Sequence, residues 1–169
     1  MKRLSEVLKI VALVAVALAM VHSAPSRASG SPAQISVPSG THVTAKYEDE
    51  SDVKLNSQEQ VALLFMIDIT DIERDCYRTG KYCSLDSLVK SKKLNQDPNN
   101  DPNYTYVVTI KSDEYQAAAI PRKAGLGGFL YVHPHLYYNP LYYNPSGKAT
   151  ETSRLVTDFG YVGKSFRNQ

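Results

Sequence analysis

No apolar run in this sequence is long enough to cross a membrane. The longest, Ile10–Val21, has 12 residues, against the roughly 20 that a hydrocarbon core requires. That excludes a spanning anchor and suits the core of a secretory signal. Lys2 and Arg3 supply the positive start, and Ser26-Arg27-Ala28 the small residues that a signal peptidase reads, with Ser23-Ala24 as a second site. Cysteine is as scarce. There are two, Cys76 and Cys83. Neither follows the apolar run closely, so a lipoprotein anchor is not expected. Their spacing fits no common zinc pattern, and no histidine stands near them. The sequence also lacks a Gly-x-Ser-x-Gly elbow and EF-hand spacing, and no histidine has a recognisable serine or acid partner. Nothing points to nucleophilic catalysis, and the expectation is a protein that is not an enzyme.

A net charge is missing too. The chain carries 19 basic and 17 acidic residues. Residues 1–28 hold four of the basic and one of the acidic ones, which leaves 15 and 16 beyond them. The apparent basicity therefore belongs to the segment read as a removable signal, and it gives no reason to expect nucleic-acid or membrane-surface binding. In an exported chain an isolated close cysteine pair is most simply a disulfide, so Cys76 and Cys83 are expected to pair. The expected location is the periplasm or the extracellular space.

Residues 29–56 follow the signal with Gly30, Pro32, Pro38 and Gly40, then the acidic cluster Glu48, Asp49, Glu50 and Asp52. Apolar residues are sparse there, so the segment reads as a flexible leader, with at most a short edge strand at Gln34–Val37. Residues 57–169 read as one domain. Ser57 followed by Gln60 predicts a capping box, and Glu59 adds negative charge where the helix dipole favours it. Val61, Leu64, Phe65, Ile69, Ile72 and Cys76 then recur at helical steps, which predicts one helix over 57–78, stopped by Gly80. Asp68, Asp71, Glu73, Arg74 and Asp75 read as its solvated face. Ser84–Val89 predicts a helical turn, and Asp97–Asn103 is turn chemistry. Strands are predicted at 104–110, 115–120, 129–132 and 155–162. Helix first and strands afterwards make an α+β fold: one long N-terminal helix packed on an antiparallel β-meander.

This order resembles a known one. The capped helix runs into Cys76-Tyr77-Arg78-Thr79-Gly80-Lys81-Tyr82-Cys83 and Leu85-Asp86-Ser87-Leu88. Tyr104-Thr105-Tyr106-Val107-Val108 and a partner ending in Ile120-Pro121 follow, then Leu141-Tyr142-Tyr143-Asn144-Pro145-Ser146-Gly147-Lys148-Ala149. Together they resemble the globular part of type IV pilins and of the major pseudopilins of type II secretion, over about residues 57–150. The resemblance implies a pilin-like soluble fold. It does not imply a pilus, because no glycine precedes Glu6 and its apolar run. Proline and glycine also separate that run from the helix at Ser57, so the filament-forming helix of the family has no counterpart.

Three groups of residues invite a functional reading. His133 and His135, two apart, would share a face on a strand and suit copper or zinc. Asp97 and Asp101, among Asn99, Asn100 and Asn103, offer the hard oxygens that calcium takes. Tyr138 and Tyr142, in the tandem Tyr-Tyr-Asn-Pro units, offer a contact surface for a partner. The expectation is an exported, non-enzymatic, pilin-like structural or interaction domain at the bacterial cell envelope, meeting an envelope or secretion-system protein. The alternative is an extracytoplasmic protein that binds a small ligand or a metal, calcium being the one cofactor the residues bring to mind.

Overall fold

The computed structural model describes residues 35–112, 114–133 and 140–167. In chain order they form strand β1 (His42–Tyr47), helix α1 (Ser57–Tyr77), helix α2 (Leu85–Lys90) and a 3₁₀ turn (Pro98–Asn100). Strands β2 (Tyr104–Lys111), β3 (Glu114–Pro121), β4 (Gly128–His133), β5 (Leu141–Asn144) and β6 (Arg154–Val162) follow. The strands make one antiparallel sheet in the order β1-β6-β5-β4-β3-β2. The chain starts at one edge, crosses a face of the sheet as α1, and enters at the opposite edge as β2. It then meanders back until β6 lies beside β1.

The class is therefore α+β, with one long helix on a six-stranded sheet. Two boundaries differ from expectation. Residues 42–47, expected in a flexible leader, form β1, so α1 is the second element and not an N-terminal one. The strand needs few apolar residues of its own: Val43 and Ala45 alternate inward, and β6 supplies the rest of its pairing. Ile35–Val37 carries no strand, although Ile35 and Val37 pack on the core; Gln34 and residues 1–28 lie outside the described residues.

The helix cap is displaced by one residue. The N-cap is Asn56, whose Oδ1 accepts from the N–H groups of Gln58 and Glu59, both at 3.0 Å. Glu59, not Gln60, returns the bond, its Oε2 accepting from Asn56 N at 2.9 Å. Asparagine caps as well as serine does. A glutamate in the third position also has a second oxygen to offer, and the sheet takes it. Gln60 instead donates to Leu55 O.

Alternation along the strands divides the sheet into two faces. Inward-facing Ala117 and Ala119 leave room for α1 to lie on β3, and the helix buries Leu63, Leu64, Phe65, Met66 and Ile69 in the core. Phe65 stacks on Phe166 with ring centroids 4.1 Å apart and meets Tyr106 at 5.2 Å. Cys76 and Cys83 are disulfide-bonded, as expected, with Cα atoms 5.9 Å apart. The bond ties the last turn of α1 to the segment leading into α2.

Candidate interaction surface

The covered face is lined by tyrosines: Tyr104, Tyr106, Tyr115, Tyr131 and Tyr143 are all buried. A buried hydroxyl must find a partner, and these do. Tyr104 donates to Gly127 O at 2.8 Å, Tyr106 to Asp101 Oδ2 at 2.8 Å, and Tyr143 to Glu59 Oε1 at 3.1 Å. Burial raises their hydroxyl pKa values, so they stay protonated at any physiological pH. Gly127 has no side chain because the Tyr143 ring occupies the place of its Cβ.

Three carboxylates of α1 belong to this interior, and the sequence reading placed two of them elsewhere. Glu59 Oε1 accepts from Gly127 N at 2.7 Å as well as from Tyr143, so the first turn of the helix is bonded to the sheet. Asp68 and Glu73, expected on the solvated face, are fully buried. Asp68 lies three residues after Phe65 and four before Ile72, and Glu73 lies four after Ile69 and three before Cys76. Both fall on the apolar stripe, and that spacing is the signal that could have found them. Asp68 Oδ2 accepts from Phe166 N at 2.7 Å, and Glu73 Oε2 from Cys83 N at 2.8 Å. Each leaves its other oxygen without a hydrogen-bond partner among the described residues. Desolvation pushes the Asp68 carboxyl up to about 6, against the Phe166 N–H, Ser165 and Arg167. It pushes Glu73 up to about 7, against the Cys83 N–H and Lys93. A carboxyl in that range is a catalytic candidate where a cleft reaches it. These two are sealed, and their bonds hold the C-terminal segment and the disulfide loop against α1.

The metal candidates are dispersed. Asp101 is buried and committed: Oδ1 accepts from Asn103 N at 2.7 Å and Tyr104 N at 3.2 Å, and Oδ2 from Tyr106. Asp97 caps the 3₁₀ turn by accepting from Asn99 N at 2.8 Å. His133 ends β4, its Nδ1 2.9 Å from the Tyr82 hydroxyl and its ring stacked on Tyr115 at 5.3 Å. His135 and Tyr138 lie outside the described residues. Among those described, no three His, Cys, Asp or Glu side chains stand close enough to hold a metal ion.

Tyr142 is where the open face becomes distinctive. It is half-buried and points away from α1, whereas its neighbour Tyr143 points into the core. Directly opposite Tyr142 stand Leu130 on β4 and Leu155 on β6. Leu130 in turn faces Ala118, and Ala118 faces Val107 on β2. Val107, Ala118, Leu130, Tyr142 and Leu155 thus form one apolar row across five strands, on the face that the helix leaves uncovered. Beside it runs a groove of about 430 Å³, floored by Val107, Ala118, Ile120 and Leu130 and walled by the loop Lys148–Thr152. Gln116 holds the wall by donating to Glu151 Oε1 at 3.3 Å. Among the described residues, Lys148 and Glu151 are the only ionisable side chains that line it. Its chemistry is contact and solvent exclusion.

No family model, curated protein or solved structure matches this chain. Among the described residues no helix is long and apolar enough to cross a membrane, and the disulfide fits an oxidising, extracytoplasmic compartment.

Proposed function

We propose that this chain is an exported, non-catalytic interaction domain of pilin-like construction, which meets a protein of the bacterial envelope through the open face of its sheet. The observation that carries the reading is the apolar row from Val107 to Leu155, which crosses five strands opposite the helix. Natural antiparallel sheets that face water alternate to polar residues on that side, and a contiguous exposed apolar patch marks a contact site. The order of a capped helix, a disulfide loop and an antiparallel meander supports the pilin-like construction. β1, placed before the helix, is an addition to that plan. Attachment falls to the folded surface, along the row that holds Tyr142, with Thr109, Gln116 and Thr150 as polar residues of the adjoining groove.

Cross-linking in intact cells tests it. Wild-type protein is expected to capture one envelope protein, and Tyr142→Asp is expected to lose it while keeping its circular dichroism and disulfide. Equal capture by both chains would overturn the surface, and turnover of a substrate by the purified protein would overturn the non-catalytic reading. The groove favours a second reading, a small apolar ligand, since its volume falls in the range such sites occupy. Thermal stabilisation by a small molecule, abolished by Ala118→Phe, would favour it.

A further inference from the structure

The two edges of the sheet are built differently. At β1 the pairing is interrupted by a bulge between Lys46 and Tyr47, and the chain doubles back along the outer side. Val53 N donates to Ala45 O at 2.9 Å, and Lys46 faces Asp52. Bulges, charges and a covering segment are how sheets block unwanted pairing. β2 has no bulge. Its register with β3 runs unbroken from Tyr104–Pro121 to Lys111–Glu114. It contains no proline and a single charge, Lys111, and it exposes Val107 (38 %) and Ile110 (40 %).

In an antiparallel ladder, alternate residues turn both their N–H and C=O to one side. Tyr104 identifies the outward set: its N–H goes to Asp101, away from β3, and the residue opposite it is Pro121, which has no N–H. Tyr106, Val108 and Ile110 therefore present their N–H and C=O groups outward, and among the described residues no strand lies beyond β2.

We propose that this edge pairs antiparallel with the same edge of a second copy of the chain, with the two-fold axis at Val108. In that register Tyr106 lies opposite the partner's Ile110, and Val108 opposite the partner's Val108. Every outward N–H and C=O of these three residues is then paired. Val107 meets the partner's Thr109, and Thr105 the partner's Lys111, so no like charges oppose one another and both exposed apolar side chains gain a neighbour. Pairing Val107 with the partner's Val108 is excluded, because it sets an inward-turned residue against an outward-turned one. Centring on Val107 puts Ile110 opposite the partner's Tyr104, whose N–H already serves Asp101, and so leaves the Ile110 C=O unpaired. Tyr104 and Asp101 thereby count against that register. The axis stands perpendicular to the sheet, so both copies keep α1 on the same side and the two open faces become one.

Sedimentation of the exported, disulfide-intact protein over a concentration series tests this. A monomer–dimer equilibrium is expected. Val108→Pro removes an outward N–H that β3 does not use and is tolerated on an edge strand, so it is expected to give a monomer with unchanged circular dichroism. Val108→Cys is expected to form an interchain disulfide on mild oxidation. Ile110→Cys, set opposite the partner's Tyr106, is expected not to. A wild type that stays monomeric throughout, even one that accepts a foreign extended peptide at this edge, overturns the proposal. So does a dimer that survives Val108→Pro in a folded protein, or cross-linking that favours Ile110→Cys. Should the proline variant fail to fold, the cysteine pair alone decides.

Discussion

The two faces of this sheet show a partial inversion of the usual distribution of polarity, around a core that is mainly apolar. The face under α1 buries charge: Glu59, Asp68 and Glu73 lie in the interior with a layer of tyrosine hydroxyls. The open face leaves hydrocarbon partly exposed, in a row of apolar side chains from Val107 to Leu155. The inversion has a physical logic. Buried carboxylates are tolerated where backbone N–H groups reach them, and each of these three accepts such a bond from a segment outside the helix. They hold loops and tail to the helix, which apolar contact alone would orient less strictly. Exposed hydrocarbon is tolerated where association covers it. Polar groups under the helix thus tie separate segments of the chain together, and the apolar row opposite is the surface proposed for contact.

The sharpest way to break the comparison is at Glu59. Glu59→Ala removes the acceptor of Gly127 N, Tyr143 and Asn56 N together, and is expected to cost about 3 kcal/mol or more in denaturant unfolding. A loss below about 1 kcal/mol would mean that the interior carboxylate is not a structural element. The disulfide comes next. Its closed loop of about eight residues predicts a loss of about 2.5 kcal/mol for the Cys76→Ser, Cys83→Ser double variant, read by the same measurement.

The buried acids make a pH prediction of opposite sign to ordinary acid denaturation. Folding raises Asp68 to about 6 and Glu73 to about 7, so between about pH 4 and 7 the native chain binds more protons than the unfolded one. Stability attributable to them is complete below their unfolded pKa values and is lost as pH rises through the folded ones. Unfolding measured from pH 7 to pH 5 is expected to show a gain on the order of 2 kcal/mol. Asp68→Asn with Glu73→Gln is expected to flatten that slope. The smallest effect belongs to the open face. Tyr142→Asp is expected to change stability by no more than about 1.5 kcal/mol while abolishing partner capture. A large loss would make Tyr142 a core residue and erase the difference between the faces.

Much of this was readable in advance, for reasons that particular residues make plain. The helical stripe from Val61 to Cys76 and the β-branched run Tyr104–Ile110 bury enough apolar surface to choose their own conformation, and their observed bounds differ from the predicted ones by a residue or so. The cysteine pair closes because the two thiols lie seven positions apart in a turn-forming segment. β1 was not readable. His42–Tyr47 has only alternate Val43 and Ala45 to mark it, and its pairing partner stands more than a hundred residues away. The candidate surface was legible only at Tyr142. Leu130, Ala118, Val107 and Leu155 look unremarkable singly, and register alone aligns them.

Sequence by itself determined the local matters: the helix, the hairpin of β2 and β3, the disulfide, and the class of the fold. Each depends on neighbours within a few residues, where periodicity and turn chemistry act directly. Tertiary structure alone decided which carboxylates are interior, which of two adjacent tyrosines faces the core, and which edge of the sheet is left open. Those outcomes depend on the partner strand and on what packs above it. A glutamate on a helix is solvated or buried according to whether a distant N–H arrives to meet it, and only the folded chain brings the N–H of Cys83 to Glu73 and that of Gly127 to Glu59.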